Sequence, residues 1–156
     1  MMRIIRVHLH RLLREAKGAA AVEFAVLATV FLLLLGGIID LGHGWYMRQV
    51  ITNASREGAR YGVTYRTDAN GVRIAPSALS PTIITYLKNG YLQQAVLPAD
   101  ANPTITASGT GYTTGTKGAP LQVRVAARKN WLFIPGFIPG LGDHLDLAAT
   151  TVMQCE

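Results

Sequence analysis

From Ala19 to Ile39 the chain runs for 21 residues with a single charged side chain. A helix needs roughly 20 apolar residues to cross the hydrocarbon of a bilayer. This stretch therefore fits a membrane span, and it exceeds the ~7–15-residue core of a secretory signal peptide. The charge that interrupts it is Glu23. A carboxylate in hydrocarbon costs a few kcal/mol, which makes an intramembrane acid a functional candidate in need of a partner. Whatever the remaining residues build must hang from one end of an apolar rod.

Charge orients the rod. Residues 1–18 hold Arg3, Arg6, Arg11, Arg14 and Lys17 against Glu15 alone. The rest of the chain holds 10 basic and 8 acidic residues, so the net +6 belongs mainly to the N-terminal flank. By the positive-inside rule the N-terminus is cytoplasmic and residues after about 40 lie outside. A nucleic-acid binder would show its basic residues as a patch on a folded surface, so that class is set aside. Ile5, Leu9, Leu12 and Leu13 fall at helical spacing in the flank, which suits a segment lying on an anionic leaflet or a simple topogenic flank.

Beyond the span, residues 40–66 read as an amphipathic extension of the same helix. Leu41, Trp45, Val50, Ile51, Ala54, Gly58, Tyr61 and Tyr65 recur at three- and four-residue steps. Trp45 and Tyr46 suit an interfacial belt. Gly36-Gly37 marks a bend, a close contact, or a tolerated weakness. Residues 67–76 carry turn signals, Asn70-Gly71 and Pro76. Residues 77–94 read as a second helix, capped by Ser77 or Ser80 and ended at Asn89-Gly90, with Leu79, Ile83, Ile84, Leu87 and Tyr91 inward. Strands are expected at 103–108, 120–128 and 145–153. Leu121, Val123 and Val125 share one face of the second, and Leu145, Leu147, Ala149, Thr151 and Met153 one face of the third. The glycine-rich string between the first two strands reads as a flexible hairpin loop. The apolar segment Trp131–Gly142, with its repeated Ile-Pro-Gly, reads as a crossover tucked over the sheet, or alternatively as an interaction or membrane-surface contact. The expected organisation is α+β. It comprises a leader (1–18), a transmembrane helix (19–40), its amphipathic extension (41–66) and an extracytoplasmic domain (67–156). In that domain a second helix joins the long one against a small antiparallel sheet.

Catalytic and metal chemistry find little support. His8-x-His10 lacks carboxylate or cysteine company for a metal. Asp143-His144-x-Asp146 resembles part of a triad, but no nucleophile has a recognisable setting. Asn53-Ala54-Ser55 fits a glycosylation acceptor and reads as chance on a helix. Cys155 is the single cysteine, so no internal disulfide is available. It reads as an incidental thiol, with an intermolecular bridge as the alternative. No enzyme activity, cofactor, metal or small-molecule substrate is expected.

The basic leader, Gly18, four small residues, Glu23-Phe24 and the apolar helix together resemble the class III signal of type IV pilin-like proteins. The resemblance narrows with Gly18-Ala19-Ala20-Ala21-Val22-Glu23-Phe24-Ala25, then Ile39-Asp40-Leu41-Gly42, then Thr52-Asn53-Ala54-Ser55-Arg56-Glu57-Gly58-Ala59-Arg60-Tyr61. These blocks are similar to TadE-like proteins of tight-adherence (Flp) pilus systems and cover about the first 65 residues. Asp40 stands where many members carry glutamate, a conservative departure.

The resemblance implies a pilin-like fold and a pseudopilin or minor pilin of an adhesive pilus. It implies cutting by prepilin peptidase between Gly18 and Ala19, so that Glu23 becomes mature residue five. Glu23 and Phe24 are then the residues for assembly and recognition. Glu23 is expected to pair with the Ala19 ammonium of a neighbouring subunit, to serve peptidase recognition, or to snorkel to the cytoplasmic surface. Expected partners are the peptidase, other pilins or pseudopilins, the inner-membrane platform and membrane lipids. The expected location is the bacterial inner membrane, single-pass, with the domain periplasmic. The alternatives are an uncleaved bitopic protein docking to the secretion machinery, a secreted adhesin, and a membrane-anchored enzyme.

Overall fold

One helix, α1, runs from Met2 to Val63. The computed structural model describes residues 2–133 and 142–156, with side chains from residue 18 onward. At about 1.5 Å per residue the stretch from Gly18 to Val63 alone is about 69 Å long. It is the one helix among the described residues long and apolar enough to cross a membrane. α1 continues through Gly18 without a break. The side chains that would test the leader's amphipathic spacing lie outside the described residues.

The two halves of α1 differ in what covers them. Val22, Phe24, Leu27, Phe31 and Leu34 are exposed on successive sides of the helix. From Gly36 onward one stripe is buried: Gly36, Asp40, Gly44, Met47, Ile51, Ala54, Gly58 and Gly62. This corrects the expected stripe. Val50, Ile51, Ala54, Gly58 and Tyr61 do face inward, whereas Leu41, Trp45 and Tyr65 are exposed. The packed line enters on glycines and an acid, which a count of apolar residues passes over. The small residues matter physically. A methyl group on Gly62 would strike Leu121 and lie 2.7 Å from Ile83 Cδ1, and one on Gly58 would lie 2.6 Å from Leu87 Cδ1. The backbone of α1 thus meets side chains of the domain directly.

The sheet has three antiparallel strands in chain order: β1 (Thr104–Ser108), β2 (Pro120–Asn130) and β3 (His144–Gln154). Val125 of β2 pairs with Ile105 of β1 and with Ala149 of β3. α1 lies across β2 and β3. The core forms between Met47, Ile51 and Ala54 of α1, Leu121, Val123 and Val125 of β2, and the helical segment before β1. Each large aliphatic side chain buried there contributes about 1.5–3 kcal/mol. Alternation on β2 is strict and runs past the expected end at 128: Leu121, Val123, Val125, Ala127 and Lys129 are all buried.

The second helix, α2, starts later than expected. It is α-helical over Ile83–Tyr86, relaxes into a π turn over Leu87–Tyr91 and closes with Leu92–Gln94. Thr82, rather than Ser77 or Ser80, is its cap, its side chain accepting from the Thr85 N–H at 3.2 Å. The stretch Pro76–Ala78 is a separate 3₁₀ turn. Asn89-Gly90 does not end the helix; the π turn absorbs it and keeps Leu87 and Leu92 both buried. Ile84 is exposed. The glycine-rich string is also more ordered than expected. It forms a helical turn, α3 (Thr110–Thr114), bounded by Gly109 and Gly115 at φ 105° and 63°. Gly118 then donates its N–H to the Cys155 carbonyl at 2.8 Å. Backbone with positive φ is where glycine is needed.

The connection from β2 to β3 joins adjacent antiparallel strands. The crossover expected for Trp131–Gly142 lies mostly outside the described residues. The Ile-Pro-Gly repeat within it falls on residues 134–141, outside the described residues.

Candidate functional site

The positions expected for processing and assembly lie on bare helix. Gly18, Ala19 and Glu23 are exposed, and so is Phe24. A methyl group at Gly18 would meet nothing within 4 Å. Among the described residues Glu23 has no ion-pair partner. The fold brings these four residues together only through their spacing along α1, and it presents them to whatever surrounds the apolar rod.

A second site, missed by sequence reasoning, stands where the rod meets the domain. Asp40 and Lys129 are fully buried and form an ion pair of 2.9 Å. The strict alternation of β2 turns Lys129 inward. The three- and four-residue steps of α1 turn Asp40 inward, between Gly36 and Gly44. Lys129 Nζ also donates to the Asn130 carbonyl at 2.6 Å and sits 5.3 Å from the centre of the Trp131 ring. The Asp40 carboxylate does more than balance the ammonium. Its Oδ1 accepts the Leu132 N–H at 2.9 Å and its Oδ2 accepts the Phe133 N–H at 2.8 Å. A buried charge is tolerated when paired and hydrogen-bonded on its remaining lone pairs, and both conditions hold. The result is a clamp. One carboxylate on α1 fixes the end of β2 and the first residues of the β2–β3 loop. Phe133 then lies on Gly36, where a methyl group would come within 2.6 Å of Phe133 Cβ. Gly36 therefore makes a close contact, with the loop rather than with another helix.

The block Arg56–Tyr61 has its own structural role. Tyr86 of α2 donates to Glu57 Oε1 at 2.9 Å, and Arg60 donates to both Glu57 oxygens at 3.2 Å. Tyr61 stacks on Tyr86 with centroids 4.1 Å apart and planes 9° from parallel, and Arg66 covers the other face of Tyr61 at 4.3 Å. These contacts hold α2 against α1. The Arg60 hydrogen bond, then that of Tyr86, keeps the Glu57 carboxyl below its ordinary 4.5. The same bond to Glu57 pushes the Tyr86 phenol above its ordinary 10.0. A lowered carboxyl contributes stability above its ordinary value and loses it as pH falls through the lowered one. A raised phenol contributes below its ordinary value and loses it as pH rises through the raised one. The cluster is therefore at full strength between 4.5 and 10.0. We expect Glu57→Gln to flatten the acid limb of stability against pH, read from denaturation midpoints of both proteins. Superimposable acid limbs would reject the role of this carboxylate.

Other sequence candidates resolve into structure. His144 Nε2 lies 3.6 Å from Asp146 Oδ2, and Arg128 Nε reaches Asp146 Oδ1 at 3.4 Å, all on the exposed margin of the sheet. Cys155 is buried, its Sγ 3.6 Å from the Gly111 carbonyl. A bridge to another molecule would require that packing to open. Ser55 Oγ meets Thr151 Oγ1 at 2.8 Å, so the residue of the supposed glycosylation string is spent on tying α1 to β3.

Residues 18–60 match the family model described as TadE-like protein. No curated protein and no solved structure is similar to the chain at a significant level. The matched stretch opens on Gly18 and contains Glu23, Asp40 and most of the Arg56–Tyr61 block.

Proposed function

We propose that this chain, TadE-like over residues 18–60, is a pseudopilin or minor pilin in the assembly of a tight-adherence pilus. The carrying observation is the contrast along α1. Large apolar side chains are exposed all round the helix from Val22 to Leu35, and the domain grips it only from Gly36 onward. A rod of that kind is made to be surrounded by lipid in one state and by other rods in another. Helices in lipid associate through close packing rather than through apolar burial, so the same surface can serve both.

In this reading the domain stands on the periplasmic side of the inner membrane and the basic leader on the cytoplasmic side. Prepilin peptidase removes the leader between Gly18 and Ala19. Glycine before the cut leaves the backbone open to the peptidase. The ammonium created at Ala19 then lies among the helices that carry Glu23. The protein acts as a substrate and then as a building block, not as an enzyme.

The test is the intact mass of protein recovered from a host that carries the peptidase. The expected chain starts at Ala19. A full-length chain under those conditions overturns processing and leaves an uncleaved bitopic component of the same machinery as the better reading.

A further inference from the structure

We propose that the domain does not stand clear of the bilayer but is seated in it. The Leu132–Phe133 segment is sunk into the outer leaflet, and Leu41, Trp45 and Leu145 line the rim at the phospholipid surface. This goes beyond pilus assembly and rests only on α1 crossing the membrane.

The argument is one of depth. The apolar run from Ala19 to Ile39 has 21 residues, about 31 Å of helix against a hydrocarbon core of about 30 Å. Its outer end therefore falls near Ile39. Phe133 packs on Gly36, three residues inside that end, or about 4.5 Å below it. A segment pinned at that height cannot lie in bulk water if the helix crosses. Its composition agrees. Leu132 is 64% exposed and Phe133 56%, large apolar side chains left bare at a level where α1 is itself bare on its other sides, at Ile38 and Ile39.

The polar chemistry agrees as well. Backbone groups at membrane depth must be satisfied within the protein, because lipid tails offer no partners. The N–H groups of Leu132 and Phe133 are both taken by Asp40, and Asp40 is itself neutralised by Lys129 out of solvent contact. A loop in water would have no need of a buried carboxylate for two amides. Above this level Trp45 and Leu145 line a groove of about 170 Å³ together with Arg48. Tryptophan favours the headgroup level. Helical side chains lean toward the N-terminus, which aims Arg48 back at the phosphates. The occupant is thus a phospholipid leaflet rather than a second helix.

The experiment places a nitroxide on the full chain reconstituted in phosphatidylethanolamine–phosphatidylglycerol vesicles, in a Cys155→Ser background. Labels go on Phe133→Cys, Leu132→Cys, Ile38→Cys and Val96→Cys. Oxygen partitions into lipid and a nickel chelate stays in water. The expected ratio of oxygen to nickel accessibility at 132 and 133 matches that at 38 and exceeds that at 96 several-fold. Labels at 132 and 133 that behave like 96, with 38 in lipid, overturn the seating and leave the span intact. Labels shielded from both reagents overturn it in favour of a protein neighbour. A label at 38 in water removes the membrane span itself, and the seating with it. Two adjacent label sites guard against one substitution disturbing the loop.

Discussion

Asp40→Ala is expected to destabilise the domain by about 3–5 kcal/mol, the usual cost of removing one partner of a buried pair. Three groups lose a partner at once: the Lys129 ammonium its counter-ion, and the amides of Leu132 and Phe133 their acceptor. None can recover by turning to water without opening the packing of the loop on Gly36. Asp40→Asn should cost less, because an amide oxygen still accepts from a backbone N–H, although the charge of Lys129 stays uncompensated. Lys129→Met leaves a buried carboxylate without its ammonium. The double variant Asp40→Asn/Lys129→Met removes both charges and keeps an acceptor for the loop, so it should lose clearly less than the two single variants added together. Urea titration in detergent micelles, followed by tryptophan fluorescence, reads all four. Trp131 stacks over Lys129 and reports on the clamp itself. Strict additivity would show that the two charges act independently and would sink the clamp.

The clamp also shows where the sequence was legible and where it was not. Alternation along β2 was read as far as Arg128, one residue short of Lys129. Carried one step further, the same period would have turned a lysine inward and posed the question of its counter-ion. Asp40 closes the span of residues 19–40, and hydropathy has no term for which side of the helix a residue faces. The glycines at 36, 44, 58 and 62 posed the same difficulty. All four lie on the buried face of α1, and Gly36, Gly58 and Gly62 are where it is approached most closely, yet they add nothing to an apolar stripe. Elements with a strong period, β2, β3 and the outer end of α1, agree with the expected bounds within a few residues. α2 and the glycine-rich turn were not, since a π turn and three positive-φ glycines arise from tertiary packing that local patterns do not encode.

The reverse holds at the other end of the rod. The motif from Gly18 to Glu23 is plain in the sequence, and the fold adds only that these residues are bare. On the proposed function this bareness has a consequence. Before cleavage Glu23 sits four residues into an apolar helix, with no ion-pair partner among the described residues. After cleavage every neighbouring subunit offers an ammonium at Ala19. Pairing the two in the packed state offsets the burial of both charges. Losing one partner in a low-dielectric bundle costs several kcal/mol per contact, and the loss repeats at each subunit. Glu23→Gln is therefore expected to leave cleavage after Gly18 intact while abolishing most incorporation into the assembled structure. Glu23→Asp, which keeps the charge on a shorter stem, should retain part of it. The mass of the membrane-bound chain measures the first step, and the amount of protein in sheared surface fractions measures the second. Equal incorporation of the glutamine variant removes the pairing role. Loss of cleavage in that variant assigns Glu23 to peptidase recognition instead, because the membrane pool would then carry the uncut mass and the assembly defect would follow from it.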